Sequence, residues 1–267
     1  MENKRYVTVT VLVICCLLCG CRSNDSALKD SEWKSRQMLA SDNESAISFA
    51  DSAKPNHLAL ARDLIQGEFY DVALLRLKEA GKENSGNPEV FCLMGVCKRE
   101  LGSCEDAVRH FKRALKLDGD YAPAYNGLGL TYAEIKEKVK ARKNFEQALH
   151  LNPARSDFHN NLGYLQLLDG ELAMAEDCFR KSLAISPDFM LAKNNLGICL
   201  GMMGKEDEAL SIFRSIMSTA AALNNMGVIY EKLLQQEKAI ALYKRALKEA
   251  PQFEEARKNL LRLSSGI

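Results

Sequence analysis

One interval governs this chain. Gly95, Gly129, Gly163 and Gly197 recur every 34 residues, and Ala107, Ala141, Ala175 and Ala209 follow each of them by 12. Phe111, Phe145, Phe179 and Phe213 come four residues after each Ala, one turn further along the same helical face. A large apolar residue, Met94, Leu128, Leu162 or Leu196, precedes each Gly, and Pro153, Pro187 and Pro251 close three of the units. A unit of this length cannot bury its apolar face alone, so neighbouring units must stack. The small Gly and Ala let two antiparallel helices approach closely, the Phe fills the volume between successive hairpins, and the Pro stops the second helix before the next begins. A hydrophobic fraction of 47% is ample for a packed core, while 7% aromatic residues and six Pro favour helices over long sheets.

This pattern resembles the tetratricopeptide repeat (TPR), in which a small residue at the eighth position, Ala at the twentieth and Pro at the thirty-second mark each unit. The resemblance implies an all-α fold: a right-handed superhelical TPR solenoid of about six helix-turn-helix repeats plus a C-terminal capping helix. The array spans 54–267, with units at 54–87, 88–121, 122–155, 156–189, 190–219 and 220–253 and the capping helix at 254–263. The first unit is degenerate, with Ala61, Ala73 and Leu77 in the key places and Gly67 at its turn. The fifth is short, because Gly227 follows Gly197 by 30 residues rather than 34. Its second helix must lose about one turn near Ile216 to Thr219, or its connection must tighten.

Ahead of the array the chain changes character. A basic start (Lys4, Arg5) leads into an uncharged apolar run from Tyr6 to Gly20. That run is shorter than the roughly 20 residues of a spanning helix and fits a secretory signal peptide over 1–20. Leu18-Cys19-Gly20-Cys21 resembles the lipobox of bacterial lipoproteins, in which a small residue precedes the Cys that is acylated. The resemblance implies lipidation at Cys21 and a membrane held through its acyl chains. Arg22 stands where the enterobacterial inner-membrane retention signal has Asp, which points to the outer membrane, facing the periplasm. Residues 22–53, with eight Ser and broken apolar spacing around Trp33, read as a polar tether.

Composition and motifs exclude several functions. With 36 basic and 35 acidic residues there is no cationic excess to neutralise nucleic-acid phosphates. His57, His110, His150 and His159 are scattered, with no HExxH, no Gly-rich phosphate loop and no nucleophile elbow. The sequence therefore predicts no enzyme, no cofactor, no metal site and no small-molecule substrate. Beyond the leader, Cys92, Cys97, Cys104, Cys178 and Cys199 form an odd set without CxxC spacing. Cys97 and Cys199, both at the tenth repeat position, read as small buried hydrophobes; a disulfide through Cys92 or Cys104 is the alternative.

In a TPR array the fifth, sixth, ninth, twelfth and thirteenth positions of successive first helices face a concave groove. Here the fifth position reads Asn126, Asn160, Asn194, Asn224, after Cys92 in the second unit, and the sixth adds Asn161, Asn195 and Asn225. Carboxamides offer donors and an acceptor, so this ladder could bond the peptide groups of a bound segment. The sixth-position Asn belongs to the TPR consensus and reads equally as a bridge between hairpins. The ninth position supplies an apolar floor: Val96, Leu130, Tyr164, Ile198, Val228. The partners expected are proteins or peptides. The fifth and ninth positions lack the Lys and Arg of a carboxylate clamp.

Leader, lipobox, Ser-rich tether and six units together resemble pilus-assembly lipoproteins. The TadD family of Tad/Flp pilus systems has late Asn-Asn-Leu-Gly blocks, one followed by a shortened spacing, matched here by Asn194-Asn195-Leu196-Gly197 and Asn224-Asn225-Met226-Gly227. The PilF/PilW pilotins of type IV pili share the organisation. That resemblance implies a role in assembling a pilus or secretion machine, with a secretin among the partners. A general envelope adaptor of the NlpI type, serving proteases or peptidoglycan enzymes, is the alternative.

Overall fold

The computed structural model describes residues 56–264, and the signal, lipobox and tether readings fall outside them. Within that range the chain forms helices only, paired as hairpins: α1 (His57–Gln66) with α2 (Tyr70–Glu83), α3 (Pro88–Glu100) with α4 (Cys104–Leu117), α5 (Ala122–Glu134) with α6 (Lys138–Leu151), and α7 (Ser156–Leu168) with α8 (Leu172–Ile185). Two more hairpins follow, α9 (Met190–Met202) with α10 (Glu206–Arg214) and α11 (Thr219–Lys232) with α12 (Gln236–Glu249), before the single α13 (Glu254–Ser264). Each helix packs on its hairpin partner and on the next hairpin, and first helices also meet first helices along the array.

Local signals set the helix starts. Asn87 accepts a hydrogen bond from the Glu89 amide at 2.9 Å and is followed by Pro88, whose fixed φ suits the first helical turn. Ser218 does the same for α11, accepting from the Ala221 amide at 3.2 Å. The turn inside every hairpin passes through one left-handed residue at the fifteenth repeat position: Glu68, Gly102, Lys136, Gly170, Gly204 and Leu234. Three of these carry a side chain in a conformation that favours glycine.

The core explains the 34-residue marks. Ala107, Ala141, Ala175, Ala209 and Ala239 are completely buried, as are Phe111, Phe179, Phe213 and Tyr243. A Cβ placed on Gly95 would come within 2.7 Å of the Phe111 ring, and one on Gly197 within 2.6 Å of the Phe213 ring. Phe111 also lies against Gly127 in the next unit, so this ring seals both its own hairpin and the junction with its neighbour. Burying one such side chain contributes about 1.5–3 kcal/mol.

Ion pairs then bridge the outer edges of neighbouring hairpins. Arg62 reaches Glu89 at 2.7 Å, Arg142 reaches Glu171 at 2.8 Å, and Lys205 reaches Glu176 at 2.8 Å. Asp169 is held by both Lys138 and Arg142.

The fifth hairpin departs from the rest. Its second helix, α10, has 9 residues where the other second helices have 14. It ends at Arg214, and Ser218 caps the next helix at once. The core marks Ala209 and Phe213 survive inside this short helix, so one turn was removed from its outer end rather than from its packing face.

Candidate functional site

The first helices α3, α5, α7, α9 and α11 place the predicted residues in rows. Residues at the second, fifth or sixth, ninth and thirteenth repeat positions share one helical face. On α9 these are Leu191, Asn194 with Asn195, Ile198 and Met202.

The fifth- and sixth-position carboxamides sit deeper than an open groove edge. Asn160 and Asn194 are only 2% and 3% exposed, Asn195, Asn224 and Asn225 are buried too, and Asn126 and Asn161 are half-buried. Their bonding is spent within the array. Asn195 Nδ2 donates to Asn160 Oδ1 at 2.9 Å, Asn160 Nδ2 to Asn161 Oδ1 at 3.4 Å, and Asn161 Nδ2 to Asn126 Oδ1 at 2.9 Å. Asn259 of α13 donates to Asn224 Oδ1 at 3.0 Å. The expected amide edge is therefore an internal ladder that ties α5 to α7, α7 to α9 and α11 to α13. The physical reason is that a buried carboxamide must find partners, and the neighbouring helix supplies them at fixed separation.

One rung is missing. The ladder joins residues 35 apart, whereas the equivalent pair across the short fifth unit, Asn194 and Asn225, is 31 apart and does not bond. Asn225 donates instead to Met217 Sδ at 3.3 Å, a weak acceptor, and Asn194 Oδ1 is buried with no hydrogen-bond partner.

The ninth-position row is half-covered throughout: Val96, Leu130, Tyr164, Ile198 and Val228 are all partly exposed. Burial pushes the Tyr164 hydroxyl up to about 12, and its Oη has no partner.

The thirteenth position, which the sequence reading left unused, forms a further row at the ends of the first helices. It reads Gln66, Glu100, Glu134, Leu168, Met202 and Lys232 along the array. Leu168 is 52% exposed, and Leu191, at the second position of α9, is 46% exposed. The signal was present in the sequence as large apolar residues at places where earlier units carry Glu or Asp.

The remaining candidates are structural. Cys92, Cys97, Cys178 and Cys199 are buried free thiols, and Cys104 is half-buried. His159 Nε2 lies 2.9 Å from the Pro153 carbonyl. Among the described residues no group of three or more His, Cys, Asp or Glu is placed to hold a metal ion, and no helix is long and apolar enough to cross a membrane.

Four segments match tetratricopeptide-repeat family descriptions, at 98–136, 122–155, 139–189 and 220–253. No curated protein matches the chain in sequence. Among solved structures, PilW, a widely conserved type IV pilus biogenesis factor, is similar with a TM-score of 0.63 and 21% identity, over 79% of this chain and 100% of that one. Pseudomonas aeruginosa PilF follows at 0.59 and 19%, covering 76% and 94% of the two chains. YrrB, a TPR protein with an unusual peptide-binding site, is similar at 0.53 and 25%, covering 68% and 96%. Helix pairing, the 34-residue core marks and these matches agree: residues 56–264 are an all-α tetratricopeptide-repeat solenoid, the architecture of a protein-interaction scaffold.

Proposed function

We propose that this protein is a lipid-anchored scaffold that captures a protein partner on the exposed face of its first helices during assembly of an envelope pilus or secretion machine. The observation that carries the binding role is the row of half-covered apolar side chains, Val96, Leu130, Tyr164, Ile198 and Val228, flanked by the more exposed Leu168 and Leu191. Apolar residues repeated on one face of stacked helices and left half-open provide a surface that a partner segment can complete. The Asn ladder lies beneath and holds that surface in register. YrrB, similar over most of its length, lends support as a peptide-binding array of the same repeat. The place in pilus assembly is supported by the likeness to PilW over its whole chain and by the order of leader, lipobox and repeats. Anchoring rests on acylation of Cys21.

A photo-crosslinking residue at Ile198, introduced in cells producing the full chain, tests the reading. Crosslinks to a secretin or another pilus or secretion component are expected, and they should vanish when the crosslinker is moved to the exposed Val139 on α6. Crosslinks to proteases or peptidoglycan hydrolases alone would replace pilus assembly with a general adaptor role. Labelled palmitate should enter the wild-type chain but not Cys21→Ser.

A further inference from the structure

The first-helix face changes chemistry along its length, and the change follows the fold. The residue that ends each first helix occupies the same place in every hairpin: Gln66 on α1, Glu100 on α3, Glu134 on α5, Leu168 on α7, Met202 on α9 and Lys232 on α11. The residue near the start of each helix follows suit, with Glu89, Pro123 and Asp157 giving way to Leu191. The acidic end is undercompensated. Glu100 and Glu134 both pair with the single Arg99, so two carboxylates share one guanidinium and one negative charge is left over. Glu134 also accepts from the Cys104 thiol, which brings no charge. Further along, Tyr164, Leu168, Leu191, Ile198 and Met202 are an uncharged stretch of α7 and α9, bounded by Asp157 at the start of α7 and by Lys232 at the end of α11.

We infer that the partner is a protein segment with two determinants, an apolar block that seats on α7 and α9 and a basic side chain that seats between Glu100 and Glu134. The inference rests on reading the first-helix face as the contact surface. Charge complementarity selects the basic residue: an acidic one there would meet the surplus carboxylate, and an apolar one would strand it from water. The spacing follows from the helices. Neighbouring helix axes lie about 8–10 Å apart, so α9 to α5 is two steps, roughly 20 Å. An extended segment covers that in about six residues.

Fluorescence polarisation with the full chain tests this, using a labelled peptide with Leu-Phe-Leu and Lys-Arg-Lys blocks six residues apart, and a twin carrying Glu-Glu-Glu for Lys-Arg-Lys. Both are made in both chain directions. The basic peptide should bind at least tenfold more tightly than its twin in one direction, and raising the salt should narrow the gap. Leu168→Glu and Leu191→Glu should each weaken it at least tenfold, Glu134→Gln about threefold or more, and Val139→Glu not at all. Circular dichroism on each variant confirms that the exposed substitutions leave the helices intact. Equal binding of the two peptides that still responds to Leu191→Glu would overturn the basic determinant while leaving the contact face standing. Absence of binding by either peptide would overturn the two-determinant inference, and the Ile198 crosslink would then judge the face by itself. Binding indifferent to Leu168→Glu and Leu191→Glu would overturn both.

Discussion

The junction between the fourth and fifth hairpins and the junction between the fifth and sixth use the same residue types with opposite results. At the first, Asn195 reaches Asn160 across 2.9 Å and the amide ladder is closed. At the second, Asn225 turns to Met217 and leaves Asn194 Oδ1 buried and unpartnered. The apolar core does not share the difference, because Phe179 and Phe213 are both completely buried. Shortening α10 thus removed a polar rung and kept the packing. A repeat can lose a helical turn at small cost to its core, while a hydrogen-bonded ladder with a fixed spacing registers the loss at once.

The largest effect tests whether the two cores are in fact alike. Phe179→Ala and Phe213→Ala should each cost about 3–5 kcal/mol in urea unfolding, and the two values should agree within about 1 kcal/mol. A much smaller cost at Phe213 would break the comparison by showing a loosened core in the short unit. Next comes the ladder. Asn160→Leu strands the buried amide of Asn195 and should destabilise by about 1–3 kcal/mol, whereas Asn194→Leu removes an acceptor that already lacks a donor and should leave stability unchanged or raise it. Equal losses would erase the distinction between a closed and an open rung.

The hairpin turns of the short unit and of the unit after it give a smaller contrast. Leu234→Gly should stabilise by about 1 kcal/mol, because Leu234 occupies left-handed backbone at φ 60°. Gly204→Ala, at φ 79° with open space around the added methyl, should lose about as much through backbone strain alone.

Acid gives the smallest effect. The hydrogen bond from Lys138 holds the Asp169 carboxyl below its ordinary range, and Lys205 does the same for Glu176. Groups with depressed folded-state values stabilise fully above their unfolded pKa and lose that contribution as pH falls through the lower one. The thermal midpoint should therefore be flat from pH 7 to 5 and decline below about pH 4. Asp169→Asn should flatten part of that decline.

Much of this was readable in advance because spacing is a steric statement. The Gly, Ala and Phe at 34-residue intervals specify which helices touch and how closely, and the 30-residue step to Gly227 locates the missing turn. The direction in which Asn160 and Asn194 face was less legible. A carboxamide on a first helix has the same composition whether it meets a ligand or a neighbouring helix. The deciding signal was a pair distance: Asn126 with Asn161, Asn160 with Asn195 and Asn224 with Asn259 are each 35 apart, while Asn194 and Asn225, across the short unit, are 31 apart. The row from Glu100 to Met202 was also within reach, since the repeat bounds number its thirteenth position, but its residue types change from unit to unit and make no repeating mark.

The buried thiols have a chemical consequence. Burial pushes Cys92 and Cys97 up to about 12 and Cys178 and Cys199 up to about 11. At neutral pH each then exposes roughly one thiolate in ten thousand or fewer, and thiolate is the species that attacks a disulfide. Four of the array's five cysteines are thereby made poor partners for exchange with small disulfides.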